Sequence, residues 1–452
     1  MRVLESFAVR KIELTADELS ARLLRLSESE MVCMLDSCGV GHLGSHLLFA
    51  GIKPVEVLQI SNDDPDQTLS VLNEKLSGDL AGFFTISYDF GLKLHRVHLR
   101  TERTGDTEPD IFLALFDAIA VHDYDTKQTR LIGDPARLDE VFNLLIADAP
   151  GSANSAASVG SSQPVSSNFT KPEYLAAVER IREYIRSGDT YQANLTQQLR
   201  SGLRGGVTAQ TIFQRLRSNH PAPFASFITR RPDSYVVSAS PERFFRVSRD
   251  GSIEASPIKG TRPRGATAKE DDRLREELES SEKDRAENTM IVDLMRNDLG
   301  RICEFGSVKV EKLCDVEEHP TLFHLVSTIR GRIRSKVRFS DTLRAVFPCG
   351  SITGAPKIRT MKIIDEIEPC RRGLSMGAIG IYLPATWDVK ELSIDTVFDL
   401  SVAIRTMVVR DGEAVFNVGG GIVIDSDPAK EFDESMLKSK ALVDALGVER
   451  DA

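Results

Sequence analysis

Two Asp-Gly dipeptides, Asp250-Gly251 and Asp411-Gly412, each sit between strand-like runs rich in Val, Phe and Ile, and this pairing of turn and run constrains the fold more than any other feature of the chain. Asp-Gly accepts the positive backbone angles of a tight two-residue turn, so each site reads as a hairpin and the surrounding sheet as antiparallel. Helices stand beside the hairpins. Tyr174, Val178, Ile181 and Ile185 recur at helical spacing, with Gly188 where such a helix would stop. Residues 268–298 also read as helical, as do residues 428–446, the latter with Asp427 as N-cap and Pro428 at the first helical position. Hairpins mixed with helices predict the α+β class.

The chain has 452 residues, more than the about 250–300 that a single core usually serves. Residues 150–167 are small, polar and without periodicity, the composition of a flexible connection. The expected organisation is an N-terminal part over 1–150, a linker over 151–167 and a catalytic part over 168–452. With 41% hydrophobic and 27% charged residues, the chain has no apolar run near the roughly 18 residues of a membrane span. Met1 to Ser6 show no secretory pattern, and Cys33, Cys38, Cys303, Cys314, Cys349 and Cys370 are scattered without a Cys-x-x-Cys pair, so a reducing cytoplasm is the expected compartment. A net charge of −10 argues against general nucleic-acid binding, which needs basic surface to displace counterions. Arg330, Arg332, Arg334, Lys336 and Arg338 alternate with Ile329, Ile333, Val337 and Phe339, which predicts a strand with its charges on one solvated face.

Two motifs mislead. Gly39-Val40-Gly41-His42-Leu43-Gly44 has the spacing of a dinucleotide-binding turn, but the stretch that follows, Ser45 to Pro54, is too short for the crossover helix such a turn requires. Gly350-Ser351-Ile352-Thr353-Gly354-Ala355-Pro356-Lys357 places a proline where a phosphate loop needs a backbone donor.

The chemistry-bearing pattern lies elsewhere. Asp284 and Glu287 stand three apart, as do Glu431 and Glu434, and on a helix that spacing puts both carboxylates of a pair on one face. A divalent cation between two such helices would reverse the repulsion of the like charges. Ahead of both pairs in the chain, Ser256-Pro257-Ile258-Lys259-Gly260-Thr261-Arg262-Pro263 holds an amine in a Pro- and Gly-bounded segment. Glu242 precedes the first hairpin, whose return strand leads to Lys259, so the hairpin can bring the two side chains together. An amine nucleophile must be neutral. Moving a lysine from about 10.4 to near 7 requires roughly 4–5 kcal/mol of differential stabilisation, and a carboxylate neighbour opposes it. Glu242 is therefore read as a proton carrier.

The Pro257 to Thr261 stretch resembles the signature of the chorismate-utilising enzymes, in their aminodeoxychorismate branch. The segments Leu80 to Asp89 and Pro109 to Asp117 are similar to N-terminal segments of the anthranilate and aminodeoxychorismate branches, so the resemblance covers most of the chain. It implies two packed, largely antiparallel sheets with helices outside, and N-terminal strands that join the same sheets. It also implies Mg²⁺ held by Glu287 and Glu434, with Asp284 and Glu431 assisting through water, against the ring carboxylate of chorismate. The family often has Glu where this chain has Asp284. Arg405 falls on the arginine that clamps the second carboxylate. Gln192, Thr261, Thr353, Tyr382, Gly419, Gly420, Gly421 and Lys438 map onto the same pocket, and His324 onto a ring-contacting or proton-handling position.

The resemblance further implies that Lys259 adds to C2 of chorismate with expulsion of the C4 hydroxyl, and that ammonia then adds at C4 and ejects the lysine, as on the route to p-aminobenzoate and folate. Anthranilate synthases carry Ala in place of Lys259, and isochorismate and salicylate synthases carry a lysine base where this chain has Gln192. No Gly-x-Cys-x-Gly elbow is present for glutamine hydrolysis, so ammonia is expected from a separate glutamine amidotransferase subunit. Met34-Leu35-Asp36-Ser37 and His220-Pro221-Ala222-Pro223-Phe224 are altered forms of a tryptophan pocket, compatible with tryptophan as a structural ligand without feedback control. The alternatives are an anthranilate synthase component I and, from another class, an inactive chorismate-binding scaffold.

Overall fold

Both Asp-Gly turns join antiparallel strands. Asp411 and Gly412 adopt φ of 52° and 79°, closing the hairpin of Thr406–Arg410 with Glu413–Ile422. Gly251, at φ 83°, turns Arg243–Ser248 back onto Ser252–Ala255. These hairpins lie in different sheets of a computed structural model that describes residues 7–41, 46–97, 108–147, 162–318, 322–387, 389, 392 and 394–448.

The first sheet has 12 strands, in the order Ala8–Ile12, Gln128–Gly133, Ala118–Asp123, Leu47–Ile52, Val32–Asp36, Phe224–Arg231, Ser234–Ser240, Thr406–Arg410, Glu413–Ile422, Gln192–Gly202 and Gly354–Ala355, with Ser166–Ser167 also pairing Gln192–Gly202. The second has 10, in the order Ile258–Pro263, Leu322–Arg332, Ser252–Ala255, Arg243–Ser248, Thr396–Val402, Ala378–Tyr382, Ala81–Ile86, Ile111–Phe116 and Glu56–Ile60, with Lys309–Glu318 also pairing Leu322–Arg332. All pairings between these strands are antiparallel. Strands from before and after residues 148–161 stand in both sheets; those residues, which hold most of the expected linker, lie outside the described ones.

Apolar side chains of the two sheets meet between them, Ile228 and Val236 from one against Phe83, Ile379 and Ile381 from the other. Helices cover the outer faces. Ile291, Val292, Met295 and Leu299 of Glu282–Gly300 join the core on the second sheet. Leu442, Ala445 and Leu446 of Pro428–Leu446 join that on the first. At about 1.5–3 kcal/mol per large buried apolar side chain, this packing, and not intrinsic propensity, holds two helices whose other faces are strongly charged.

The helix at Pro428–Leu446 starts as the sequence indicates, with the Asp427 carboxylate accepting from the amides of Ala429 and Lys430. Lys171–Arg186 likewise ends before Gly188, whose φ is 78°. Other expectations change. The helical stretch 268–298 is two helices, Ala268–Glu279 and Glu282–Gly300, because Ser281 turns out of helical geometry and caps the second by accepting from the Asp284 amide. The basic stripe is a strand only as far as Arg332. Beyond it Arg334 folds back to donate to the carbonyls of Arg301 and Cys303, and Arg338 begins the helix Phe339–Val346. In the Gly39 to Gly44 motif, His42 to Gly44 lie outside the described residues, and the next element is the strand Leu47–Ile52, not a helix. Lys357, at the end of the phosphate-loop look-alike, is buried against Asp298 at 2.6 Å.

Candidate active site

Two of the places where the polypeptide passes from one sheet to the other lie side by side. Pro241 and Glu242 connect Ser234–Ser240 to Arg243–Ser248, and Ala403 to Arg405 connect Thr396–Val402 to Thr406–Arg410. The crossings are tied together: the Ala239 amide donates to the Arg405 carbonyl at 3.0 Å, and the Val402 amide to the Glu242 carbonyl at 3.0 Å. Arg405 has φ 47°, an uncommon conformation for a residue with a side chain. The two crossings place Glu242 and Arg405 on the wall of one cavity of about 730 Å³.

Lys259 reaches the same cavity from the edge strand Ile258–Pro263. The pairing of this strand with Leu322–Arg332 shifts register between Ile258 and Thr261, so Lys259 and Gly260 form a bulge, a device that re-aims a side chain. Gly260 has φ 78°, and a Cβ there would lie 2.8 Å from Leu278 and 2.9 Å from Asp284, so only glycine fits. The segment read as a loop is thus a strand edge with one bulge. Thr261 pairs across the ladder with His324, and its hydroxyl shares a hydrogen bond of 2.9 Å with His324 Nδ1.

The remaining walls are the acidic helices and the glycine strand. Asp284 and Glu287 come from Glu282–Gly300, and Glu431, Glu434 and Lys438 from Pro428–Leu446; all five line the cavity. Asn288, next to Glu287, pins its helix by donating to the Leu325 carbonyl at 3.3 Å. Gly419, Gly420 and Gly421 lie within the uninterrupted strand Glu413–Ile422, so the run marks close approach and not a bend. A Cβ on Gly419 would meet the Leu195 carbonyl at 1.9 Å, one on Gly421 the Gln192 amide nitrogen at 2.3 Å, and one on Gly420 the Glu431 carboxylate at 3.3 Å.

One charged group here, Arg405, has no counter-charge among the described residues. Arg405 is surrounded by protein almost completely, yet much of its surface is accessible because it faces the cavity; burial alone pulls its guanidinium below the ordinary value. It makes no side-chain hydrogen bond or ion pair among the described residues, which leaves its fork free for an anion. Burial drives the Glu242 carboxyl upward, against the opposing influence of Lys259 and Ser351, and its Oε1 has no hydrogen-bond partner. A carboxyl raised in this way keeps its proton to higher pH than an ordinary one, which suits a proton donor.

Burial also raises Glu287 and Glu431, with Glu434 adding to the effect on both. Glu434 itself is pushed up by burial but held below its ordinary value by Lys438, Lys283 and Lys259, the first at 2.8 Å. Asp284 is drawn toward Arg262 at 3.3 Å. Among the described residues no three acidic, histidine or cysteine groups converge on one point. The donor set suits a hard divalent cation that takes one or two direct carboxylates and keeps waters, as Mg²⁺ does, and crowded carboxylates raised by one another gain from the added charge.

Four residues expected at the site stand back from it. Tyr382 packs on Phe398 with ring centroids 5.0 Å apart and donates to the Gly78 carbonyl, inside the core of the second sheet. The last residue of its strand, it faces the core layer and not the cavity. Thr353 is fully buried; its hydroxyl donates to the Cys349 carbonyl at 2.9 Å and its carbonyl accepts from the Asn194 amide. Gln192 lies behind Gly421, with both side-chain polar atoms buried and unpartnered. Gly420 faces the helix Pro428–Leu446. The cavity instead adds Asn194, Lys283, Ser351, Met376 and Asn417. Asn194 was within reach of the sequence, since two residues beyond Gln192 on a strand share its face; Ser351 and Asn417 carried no such signal.

Comparison with known proteins adds the following. A profile described as chorismate binding enzyme matches residues 33–444. The probable chloroplastic aminodeoxychorismate synthase of Oryza sativa subsp. japonica is 44% identical over 273 residues, 60% of this chain and 29% of that protein. Aminodeoxychorismate synthase component 1 of Bacillus subtilis (strain 168) is 35% identical over 379 residues, 82% of this chain and 77% of that protein. Among solved structures, anthranilate synthase component I from Streptococcus pneumoniae TIGR4 superposes with a TM-score of 0.73 at 27% identity, covering 98% of this chain and 94% of that one. The chain therefore spans less than a third of the plant relative's length and about three quarters of the bacterial one's.

Proposed function

The chain belongs to the chorismate binding enzymes, and on that premise we propose that it converts chorismate and ammonia to 4-amino-4-deoxychorismate, as component 1 of an aminodeoxychorismate synthase. The observation that carries this reading is Lys259, turned by a glycine-dependent bulge into a cavity walled by acidic helices on one side and the unpaired Arg405 on the other. Chorismate is a dianion. One carboxylate meets the bidentate fork of Arg405, and the ring carboxylate meets the metal end formed by Glu287 and Glu434.

Divalent-metal dependence is common to the family, and we assign Mg²⁺ because it is held by one or two carboxylates while keeping several waters. When bound, it supplies positive charge at the ring carboxylate and draws electron density from the ring. The chain's own residues do the rest. The neutral Lys259 amine adds at C2, the ring double bonds shift, and the C4 hydroxyl departs as water with the proton of Glu242. The new C2 ammonium returns one proton to the Glu242 carboxylate. Ammonia then adds at C4, the double bonds shift back, and the C2–N bond to Lys259 breaks with its electron pair; the proton lost by the new C4 amine goes to the departing lysine. The sum is chorismate plus ammonia to 4-amino-4-deoxychorismate plus water. Thr261 orients His324 against the ring, and Asp284 and Glu431 hold water around the metal.

The relatives' designation as component 1 supports a second component, which we assign as a glutamine amidotransferase that releases ammonia. No described helix is long and apolar enough to cross a membrane, and all six cysteines are free; we place the protein in the cytoplasm. The test is the product formed from chorismate, Mg²⁺ and ammonium: a non-fluorescent 4-amino compound is expected, whereas fluorescent anthranilate, or no turnover, would refute the assignment.

A further inference from the structure

A second cavity, of about 420 Å³, shares a wall with the catalytic one. The strand Glu413–Ile422 runs along both. On the face that Asn417 shares, Glu413 and Val415 line the second cavity, Gly419 and Gly421 line the catalytic cavity, and Asn417 lines both. The neighbouring strand continues the path in register, with Gln198 opposite Asn417, Thr196 opposite Gly419 and Asn194 opposite Gly421. The shared floor is thus a buried polar ladder that begins at solvent, where Glu413 and Asp411 are 43% and 69% exposed, and ends beside the site of chemistry.

Asn417 is the one lining residue common to both cavities. Asn417 donates to the Thr196 hydroxyl at 3.2 Å and accepts from the Gln198 amide at 3.5 Å. Past it, the Asn194 Oδ1 is buried and has no donor. An orphaned acceptor facing a cavity is stabilised by an incoming N–H group. The other end of the catalytic cavity is the metal end between the acidic helices, which the substrate's carboxylate would occupy, so a nucleophile arriving after the substrate needs a separate approach. The second cavity's charges suit a neutral visitor. Arg200, Arg371, Arg372 and Arg410 face Glu108, Asp411 and Glu413, an excess of one positive charge that disfavours ammonium over ammonia, the form that carries the lone pair.

Resting on the activity proposed above, we infer that the second cavity is the entry chamber for the amine nucleophile: ammonia passes from it beside Asn417 to Asn194, and meets the substrate from the side opposite the metal. Val415 lines this chamber and not the catalytic cavity, and it narrows the chamber when enlarged. Val415→Phe, assayed with chorismate, Mg²⁺ and ammonium chloride as the sole nitrogen source, should raise the KM for ammonia about tenfold or more while the chorismate KM stays within about twofold. Val408→Phe, from the adjacent strand Thr406–Arg410, should act likewise, and Val415→Leu should give a smaller rise in the same direction, which keeps the test available if a bulkier variant misfolds. An unchanged KM for ammonia in any folded variant of the three, or a chorismate KM that rises in parallel, overturns the entry route. A wild-type chain that makes no 4-amino product removes the underlying activity and the inference with it; a wild-type chain that is active beside indifferent variants removes the inference alone.

Discussion

The catalytic cavity and the small cavity formed by Leu35, Asp36, Ser37, Pro223 and Phe224 both contain buried ionic groups, but they treat charge in opposite ways. In the small cavity every oxygen of Asp36 is satisfied: it accepts from Tyr124 at 2.6 Å, from the Cys38 amide at 2.8 Å and from Arg217 at 2.8 Å, and Arg217 also reaches Asp17. The space left is about 40 Å³, room for roughly three water molecules. In the catalytic cavity Arg405 has no counter-ion, Glu242 Oε1 and Asn194 Oδ1 have no donor, and about 730 Å³ stays open. The fold pairs Asp36 fully in one place; leaving Arg405 unpaired in another costs stability and marks a site open to an anion.

Removing the amine should have the largest effect. Lys259→Ala is expected to lower formation of the 4-amino product by roughly 10⁴-fold or more while Mg²⁺ binding, followed by calorimetry, is retained. Next, Glu242→Gln should lower kcat by roughly 10²–10³-fold. Its pH profile gives the sign: burial raises the Glu242 pKa, so the proton donor is present at low pH and lost as pH rises through that value, and the alkaline limb assigned to it should vanish in the variant. The same shift makes folding less favourable as pH rises from the ordinary carboxylate range to the raised value, since the folded state binds the proton more tightly. Glu242→Gln should therefore melt higher than wild type near neutral pH and equally in acid. Arg405→Ala should raise the chorismate KM by roughly 10–100-fold with a smaller change in kcat. The smallest effect on turnover belongs to the satisfied cavity. Arg217→Ala should leave kcat/KM within about twofold but reduce stability by about 3–5 kcal/mol, because it strands the buried Asp36. A large loss of activity in that variant would collapse the contrast between the two regions.

What the sequence reveals follows the range over which each signal acts. The hairpins at Asp250-Gly251 and Asp411-Gly412, the Asp427 cap and the helical stop at Gly188 depend on neighbouring residues, and all are found where those residues indicate. The break at Ser281 was equally local, a serine followed by Glu282 and Asp284 in a first turn, but the apolar and acidic periodicity running through it hid the cap. The basic stripe failed for the opposite reason. Its alternation is strand-like, yet the amides of Ile333 and Arg334 donate to the carbonyls of Gly251 and Ile302, residues far away in the chain, and the strand ends there. The carboxylates proposed to hold the metal, Lys259, Arg405 and His324 could be gathered only through family resemblance, since the sheet crossings and packing that bring distant segments to one cavity leave no periodic trace. Tyr382 shows the limit of that route: its position in the motif suggested the pocket, while the pleat turns its ring into the core against Phe398.

The central claim is that Lys259 bonds to the substrate. Intact-protein and peptide mass spectrometry of the chain incubated with chorismate and Mg²⁺ but no ammonia tests it directly. The account predicts an adduct of chorismate less one water, confined to the peptide carrying Lys259 and discharged when ammonium is added. An unmodified Lys259 in a preparation that goes on to make the 4-amino product on adding ammonium would contradict it.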